Sequence, residues 1–367
     1  MAKRFRLVCT AAALVPLTLL AAACSSSSST PTAAKSSPAA VANASGTSIT
    51  ETGSTILFPL FGAWQTAYST ANPKVTITSG ATGSGTGITD AGEDLVNIGA
   101  SDAPLSASDL AKYPGLLNIP LTVAAIMVNY NLPGLKSLNL SGKVLAAIYT
   151  GKITTWNDPA IAALNPGATL PPAKIVTLHR ADSSGATFQF GSYLNAQDPS
   201  LWPAADIGTT ITWPSVPGAV AETGNGGMVT GCAGIKDCIA YIGNSYEAKT
   251  TAAGLGQASV ANKAGKYTTA TPAAISAALA SFPAVPAAGA EQLINTSAPT
   301  GYPIINYEYA VVKKTQPSAT EASAIKAFLS WILTTGDTSK YLSATYGTAV
   351  PSATLPVSQK LVSSISG

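Results

Sequence analysis

The chain has 367 residues, of which 46% are hydrophobic and only 10% charged, with a formal net charge of +3. Of its 20 basic residues, Lys3, Arg4 and Arg6 stand at the extreme N-terminus, and the 17 that remain balance 17 acidic ones. That neutral balance argues against a nucleic-acid binder, where a basic stripe is expected, and the length suffices for a large core and two domains.

Lys3, Arg4 and Arg6 precede an apolar run, Leu7 to Ala23, that contains no acid. A basic start, a short apolar core and small residues describe a secretory signal over residues 1–23. The sequence Leu-Ala-Ala-Ala-Cys ending at Cys24 resembles a lipoprotein signal, in which the cysteine thiol is acylated and becomes the first residue. Ala21 stands where a branched residue is usual, with Leu20 one place early, so an ordinary secretory peptide or an anchor remains open. As a spanning helix the run is short and holds Pro16. Residues 24–46 are rich in Ser, Ala, Pro and Thr with one charge, Lys35. They read as a disordered tether. No later stretch is long and apolar enough to cross a membrane.

From Thr47 onward short β-branched runs alternate with amphipathic ones, which indicates α/β layers on mostly parallel sheets. In "TSITETGSTILFPLFGAW" a strand around Ile49 ends at Gly53-Ser54-Thr55 and a helix runs to Trp64. In "KVTITSGATGSGTGITDAGEDLV" a strand with Val75 and Ile77 meets Gly80 to Gly87, then a helix toward Val96. In "VNIGASDAPLS" Val96 and Ile98 form a strand, Asp102 falls just past its end, and Ser106 with Asp109 fits a capping box. "IPLTVAAIMV", from Ile119, suits a buried strand. In "KIVTLHRADSSGATFQFGSYL" a strand over Ile175, Val176 and Leu178 runs into His179, Arg180 and Ser183-Ser184-Gly185, then a helix to Leu194.

Three of these units share one junction: a strand ends, small or hydroxylated residues follow, and a helix begins. The first helical turn leaves N–H groups without partners and carries partial positive charge, so such a junction can hold an anion. Ser, Thr and Gly are also ordinary caps. Arg180 adds weight, because it is the only arginine after Arg6. None of the junctions carries the Gly-Lys-Ser/Thr ending of a nucleotide P-loop. His179, Asp182 and Ser183 or Ser184 are the residue types of a serine hydrolase, but six consecutive positions cannot assemble that triad, and no Gly-x-Ser-x-Gly elbow is present. Cys232 and Cys238, in "GCAGIKDC", are the cysteines left after Cys9 and Cys24. An even pair in an exported chain favours a disulfide, and the spacing is poor for zinc.

Together "GSTILFPLFGAW", "ATGSGTGI", "NIGASDAPLS", "LAAIYTGKITTWNDPAIAALNPG", "HRADSSGATF", "CIAYIG" and "GYPIINYEYAVV" resemble the phosphate-binding proteins of bacterial high-affinity phosphate importers, the actinobacterial lipoprotein form above all. The resemblance implies a two-lobed type II periplasmic-binding fold with the ligand between lobes. Residues 47–122 and 303–367 would form lobe I and residues 123–302 lobe II, with crossings near Leu121–Val123 and Tyr302–Asn306. It implies a monomer without enzymatic activity, metal or cofactor, which binds inorganic phosphate outside the cytoplasmic membrane and serves an ABC permease. Its ligand set corresponds to Thr55, the Ile56 amide, Ser84, Asp102, Arg180, Ser184 and the amides of Gly185 and Ala186, with Asp182 holding Arg180. Many relatives have threonine where Ala186 stands, so only the backbone serves here unless Thr187 substitutes. His179 precedes Arg180 on the strand and should face the other way. Receptors for sulfate, molybdate or phosphonate share this fold. Asp102 separates them: a carboxylate beside an anion requires a ligand that brings a proton, and phosphate does while sulfate does not.

Overall fold

The computed structural model describes residues 46–367. The signal, Cys9, Cys24 and the tether through residue 45 lie outside the described residues.

Strand β1 (Thr47–Gly53) pairs in parallel with β2 (Val75–Gly80) and β3 (Ile98–Ser101), through α1 (Phe58–Ala71) and α2 (Ser84–Gly92). Pro59 sits in the first turn of α1, where a missing N–H costs nothing. Helix α2 stops at Gly92, short of Val96, because Asp94 turns the backbone left-handed with φ 59°. The Ser106–Asp109 capping box opens α3 (Ala107–Lys112) as its spacing predicts. Strand β4 (Leu116–Tyr130) then runs for 15 residues, almost all of them buried. A continuous apolar run of this kind is what a strand covered on both faces requires.

The chain continues through β5 (Asn139–Leu140), α4 (Gly142–Tyr149) and α5 (Pro159–Leu164) to β6 (Val176–Arg180) and α6 (Gly185–Gln197). Next come β7 (Val220–Glu222), α7 (Gly224–Gly234), β8 (Cys238–Gly243) and α8 (Glu247–Ala252). The short strands β9 (Gly256–Gln257), β10 (Ser259–Ala261) and β11 (Tyr267–Thr268) precede α9 (Pro272–Leu279). Strand β12 (Ile305–Lys313) returns beside β4, and α10 (Ala319–Trp331), α11 (Ser339–Leu342) and α12 (Leu355–Ser363) close the chain.

The main sheet has the order β2-β1-β3-β12-β4-β8-β6-β7, with β9 also on β4. Strand β4 is shared by both halves. Leu116 to Ala125 pair with β12, and Ile126 to Tyr130 pair with β8. The expectation of mostly parallel sheets needs correction here. The outer pairs are parallel, but β3–β12, β12–β4 and β4–β8 are antiparallel. The reason is that β4 and β12 carry the chain across the molecule in opposite directions, with no crossover helix between adjacent partners.

Each half has its own core. One gathers Ile49, Phe61, Trp64, Ile98 and Leu121 against Phe328 and Leu329 of α10. The other gathers Val123 to Val128 with Phe190, Trp202, Tyr241 and Ile275. On β4 the two cores part between Leu121 and Val123. The result is a two-lobed α/β molecule in which the loops after β1, β3 and β6 meet.

Candidate functional site

Each side of the cleft is built from strand ends. After β1, the Ser54 amide donates to the Ala100 carbonyl at 2.9 Å. The Ser54 hydroxyl oxygen accepts from the amides of Ile56 (3.1 Å) and Leu57 (2.9 Å) and donates to Glu308 Oε2 (3.0 Å). The Ile56 amide is therefore already engaged within its own loop. Thr55 points across the cleft, where its Oγ1 accepts from Asn225 Nδ2 (2.7 Å) and the Asn225 amide (3.3 Å), leaving its own proton to donate. After β3, the Asp102 amide donates to Ser84 Oγ (3.1 Å), so the first turn of α2 and the Asp102 loop hold each other.

The second lobe supplies the charge. Arg180 ends β6, with its backbone amide donating to the Tyr241 hydroxyl at 2.9 Å. Its Nε donates to Asp182 Oδ1 (2.6 Å) and its Nη2 to Asp182 Oδ2. Gly224, first residue of α7, donates its amide to the same carboxylate at 3.0 Å. Burial alone would raise the Asp182 carboxyl, but the ion pair and the Gly224 amide outweigh it and hold it below the usual range. Ser184 caps α6, accepting from the Thr187 amide. The Gly185 and Ala186 amides open that helix, where no intrahelical acceptor exists for them. The Thr187 hydroxyl bonds the Tyr241 hydroxyl at 2.8 Å, so it does not substitute for the missing threonine at position 186. His179 faces away and packs on Trp213, and burial lowers its pKa.

The two lobes touch. A Cβ added to Gly185 would lie 2.6 Å from Asp102 Cβ and 2.7 Å from Ser84 Oγ. At Gly83, with φ +97°, an added Cβ would meet the Ser183 carbonyl oxygen at 2.4 Å. Only glycine fits at either place. Thr55, Ile56, Ser84, Asp102, Arg180, Ser184, Gly185 and Ala186 are all buried.

Among the buried polar atoms of this cleft without a partner are Arg180 Nη1, a cationic donor, and Asp102 Oδ1, an acceptor. Buried polar groups are almost always satisfied. Their pairing in one place asks for a ligand with anionic oxygens for Arg180 and an O–H for Asp102.

Asp102 and Glu308 form a buried carboxyl pair within hydrogen-bonding reach of each other. Burial raises both. At Asp102 the rise is opposed by Glu308, Ser54, Arg180 and Ser84, whereas the Asp102 charge pushes Glu308 further up.

Glu308 and Asn225 were not foreseen. Asn225 opens α7 in "VAETGNGG", a fourth strand–glycine–helix junction with the pattern of the other three. The signal for Glu308 was a charge in the middle of the otherwise uncharged stretch "INYEYAVV". Cys232, late in α7, is bonded to Cys238, first residue of β8, with their Cα atoms 5.6 Å apart.

A family model described as a PBP superfamily domain matches residues 27–335. The phosphate-binding protein PstS of Methanocaldococcus jannaschii is 33% identical over 320 residues, covering 81% of each chain. PstS 3 of Mycobacterium leprae is 32% identical over 276 residues and covers 72% of each. In fold, the molecule is similar to a Clostridium perfringens chain described as the substrate-binding protein of a phosphate ABC transporter, solved with bound phosphate. The TM-score is 0.60, with 83% of this chain and all of that one covered; at 20% identity this likeness speaks to the fold alone. The chain belongs to the PBP superfamily and, within it, to the family of phosphate-binding proteins called PstS.

Proposed function

We propose that this chain captures inorganic phosphate outside the cytoplasmic membrane and delivers it to an ABC permease, while anchored through a lipid on Cys24. The observation that carries the phosphate assignment is the unpartnered pair in the cleft, Arg180 Nη1 and Asp102 Oδ1. Phosphate near neutral pH offers both what they need: charged oxygens and at least one O–H. Thr55, Ser84, Ser184 and the Gly185 and Ala186 amides would supply neutral donors, preset by the fold and costing little reorganisation. Asp182 would hold the guanidinium fork in register. Delivery to a permease, and the absence of catalysis, rest on membership of the PstS family. The division into lobes at residues 122/123 and 302/303 belongs to the same reading, since it places Thr55, Ser84 and Asp102 on one side and Arg180 to Ala186 on the other.

Competition calorimetry with phosphate and sulfate tests the assignment. The wild type should prefer phosphate by several orders of magnitude, because sulfate leaves Asp102 desolvated and unpaired. Asp102→Asn should erode that preference, since its amide can donate to a fully deprotonated oxyanion. Equal binding of the two anions by the wild type would overturn the phosphate reading.

A further inference from the structure

We propose that Glu308 is a positioning residue for anion selectivity: it holds a proton and donates it to Asp102, keeping Asp102 ionised with one oxygen turned to the ligand. The inference rests on the phosphate reading and extends it to a residue outside the ligand set.

The geometry starts from β12, whose side chains reach the cleft from behind. Glu308 is buried in it, 1% exposed. Its Oε2 takes the Ser54 hydroxyl proton at 3.0 Å, while Oε1 has no donor. Two residues earlier on the strand, Asn306 Nδ2 holds the Asp102 carbonyl at 2.9 Å, assisted by Gln189 Nε2 at 3.2 Å. Strand β12 thus fixes the Asp102 backbone through Asn306 and meets the Asp102 carboxyl through Glu308.

Charge counting demands the proton. The titratable groups facing Glu308 are Asp102 after β3 and Tyr309 beside it on β12, while Arg180 at the end of β6 acts on Asp102. Glu308 also lines a small cavity whose other walls, among them Leu57, Leu60, Thr122, Val123, Asn244 and Thr345, carry no charge. Arg180 already shares its guanidinium with Asp182. Two ionised carboxylates beside an incoming anion would then face only this one shared cation. The proton on phosphate satisfies one oxygen of Asp102, so a second proton must lie between the two carboxyls. Like-charged carboxyls at this distance share one proton, and its holder is set by the surroundings. The Arg180 charge acts on Asp102 and not on Glu308, so Glu308 keeps it. Glu308 also grips Ser54, which organises the Thr55 loop, and this couples selectivity to loop geometry.

The sign of the pH dependence follows. The protonated form of Glu308 supports binding, so affinity falls on the alkaline side as pH rises through its raised pKa. Phosphate titrates too, but identically for every variant, so differences between variants report Glu308.

Isothermal titration with phosphate and with sulfate should be run from mildly acidic to alkaline pH on the wild type, Glu308→Ala and Glu308→Gln. Glu308→Ala should lose about tenfold or more in phosphate affinity, and its preference over sulfate should narrow as Asp102 acquires a proton of its own. Glu308→Gln keeps an N–H donor that cannot ionise. It should rescue most of the loss and remove the alkaline decline seen in the wild type. Its near-isosteric side chain also guards against misfolding, which near-ultraviolet circular dichroism would report. A wild type that binds no phosphate sinks both the phosphate reading and this inference. A phosphate-binding wild type whose alkaline decline persists unchanged in Glu308→Gln sinks this inference alone, as does Glu308→Ala with wild-type selectivity.

Discussion

Arg180 illustrates how much one residue can announce. A chain that otherwise uses lysine after residue 6 spends its single arginine at a strand end beside Asp182. The structure puts that guanidinium in a bidentate pair with Asp182 and leaves Nη1 buried and unpartnered. Arg180→Ala should weaken phosphate binding by about 3–5 kcal/mol, because a buried anion loses its one cation. Arg180→Lys should recover only part, lacking the planar fork. Calorimetry decides it: a near-wild-type dissociation constant for Arg180→Ala would move the site elsewhere. Asp102, an acid just past a strand end, read by itself as a turn or cap residue, and only the family resemblance singled it out. Glu308 was not, since its role depends on β12 lying next to β3, and the two are separated by some two hundred residues.

At the scale of elements, strand–loop–helix junctions carry the site. The spacing of small residues marked those after β1, β2 and β6, and the structure brings all three to one cleft. The junction before α7 carried the same mark. Its Gly224 amide holds Asp182 and its Asn225 holds Thr55. Helix α7 is therefore a part whose rigidity matters, and the Cys232–Cys238 bond ties its last turn to the start of β8. Cys232→Ser should lower stability by about 2–3 kcal/mol, largely by freeing the unfolded chain. Urea titration of the oxidised wild type and the variant measures this. An unchanged midpoint would show that the bond constrains nothing the fold does not already hold. Phosphate affinity should change little, because β7 and β8 still position the first turn of α7.

For the whole molecule, a two-lobed shape gives the cleft its access and its seal. Residues of the two halves reach each other directly: Thr55 with Asn225, the Gly85 amide with the Ser183 carbonyl at 3.3 Å, and Ser245 Oγ with the Ile56 carbonyl at 2.8 Å. Under the proposed function, acylation of Cys24 would keep the molecule beside its permease. Cys24→Ala should release or stall the precursor in the native host. Intact mass and membrane fractionation check this, and unchanged membrane retention with unchanged mass would exclude the anchor at Cys24.

The sequence by itself determined the local pieces: which runs are strands, where helices start, and which junctions present free amides and hydroxyls. These follow from periodicity, capping and backbone freedom, and each acts within a few residues. It also determined the family, through long motifs at matching positions. What only the tertiary structure decided was pairing across distance. The antiparallel centre of the sheet, the closure of Gly185 onto Asp102, the turning of Thr187 toward Tyr241, and the Asp102–Glu308 pair all depend on which strands become neighbours. The physical reason is that register and burial are set by the packing of whole layers, and a carboxyl's protonation is set by whatever groups that packing brings against it.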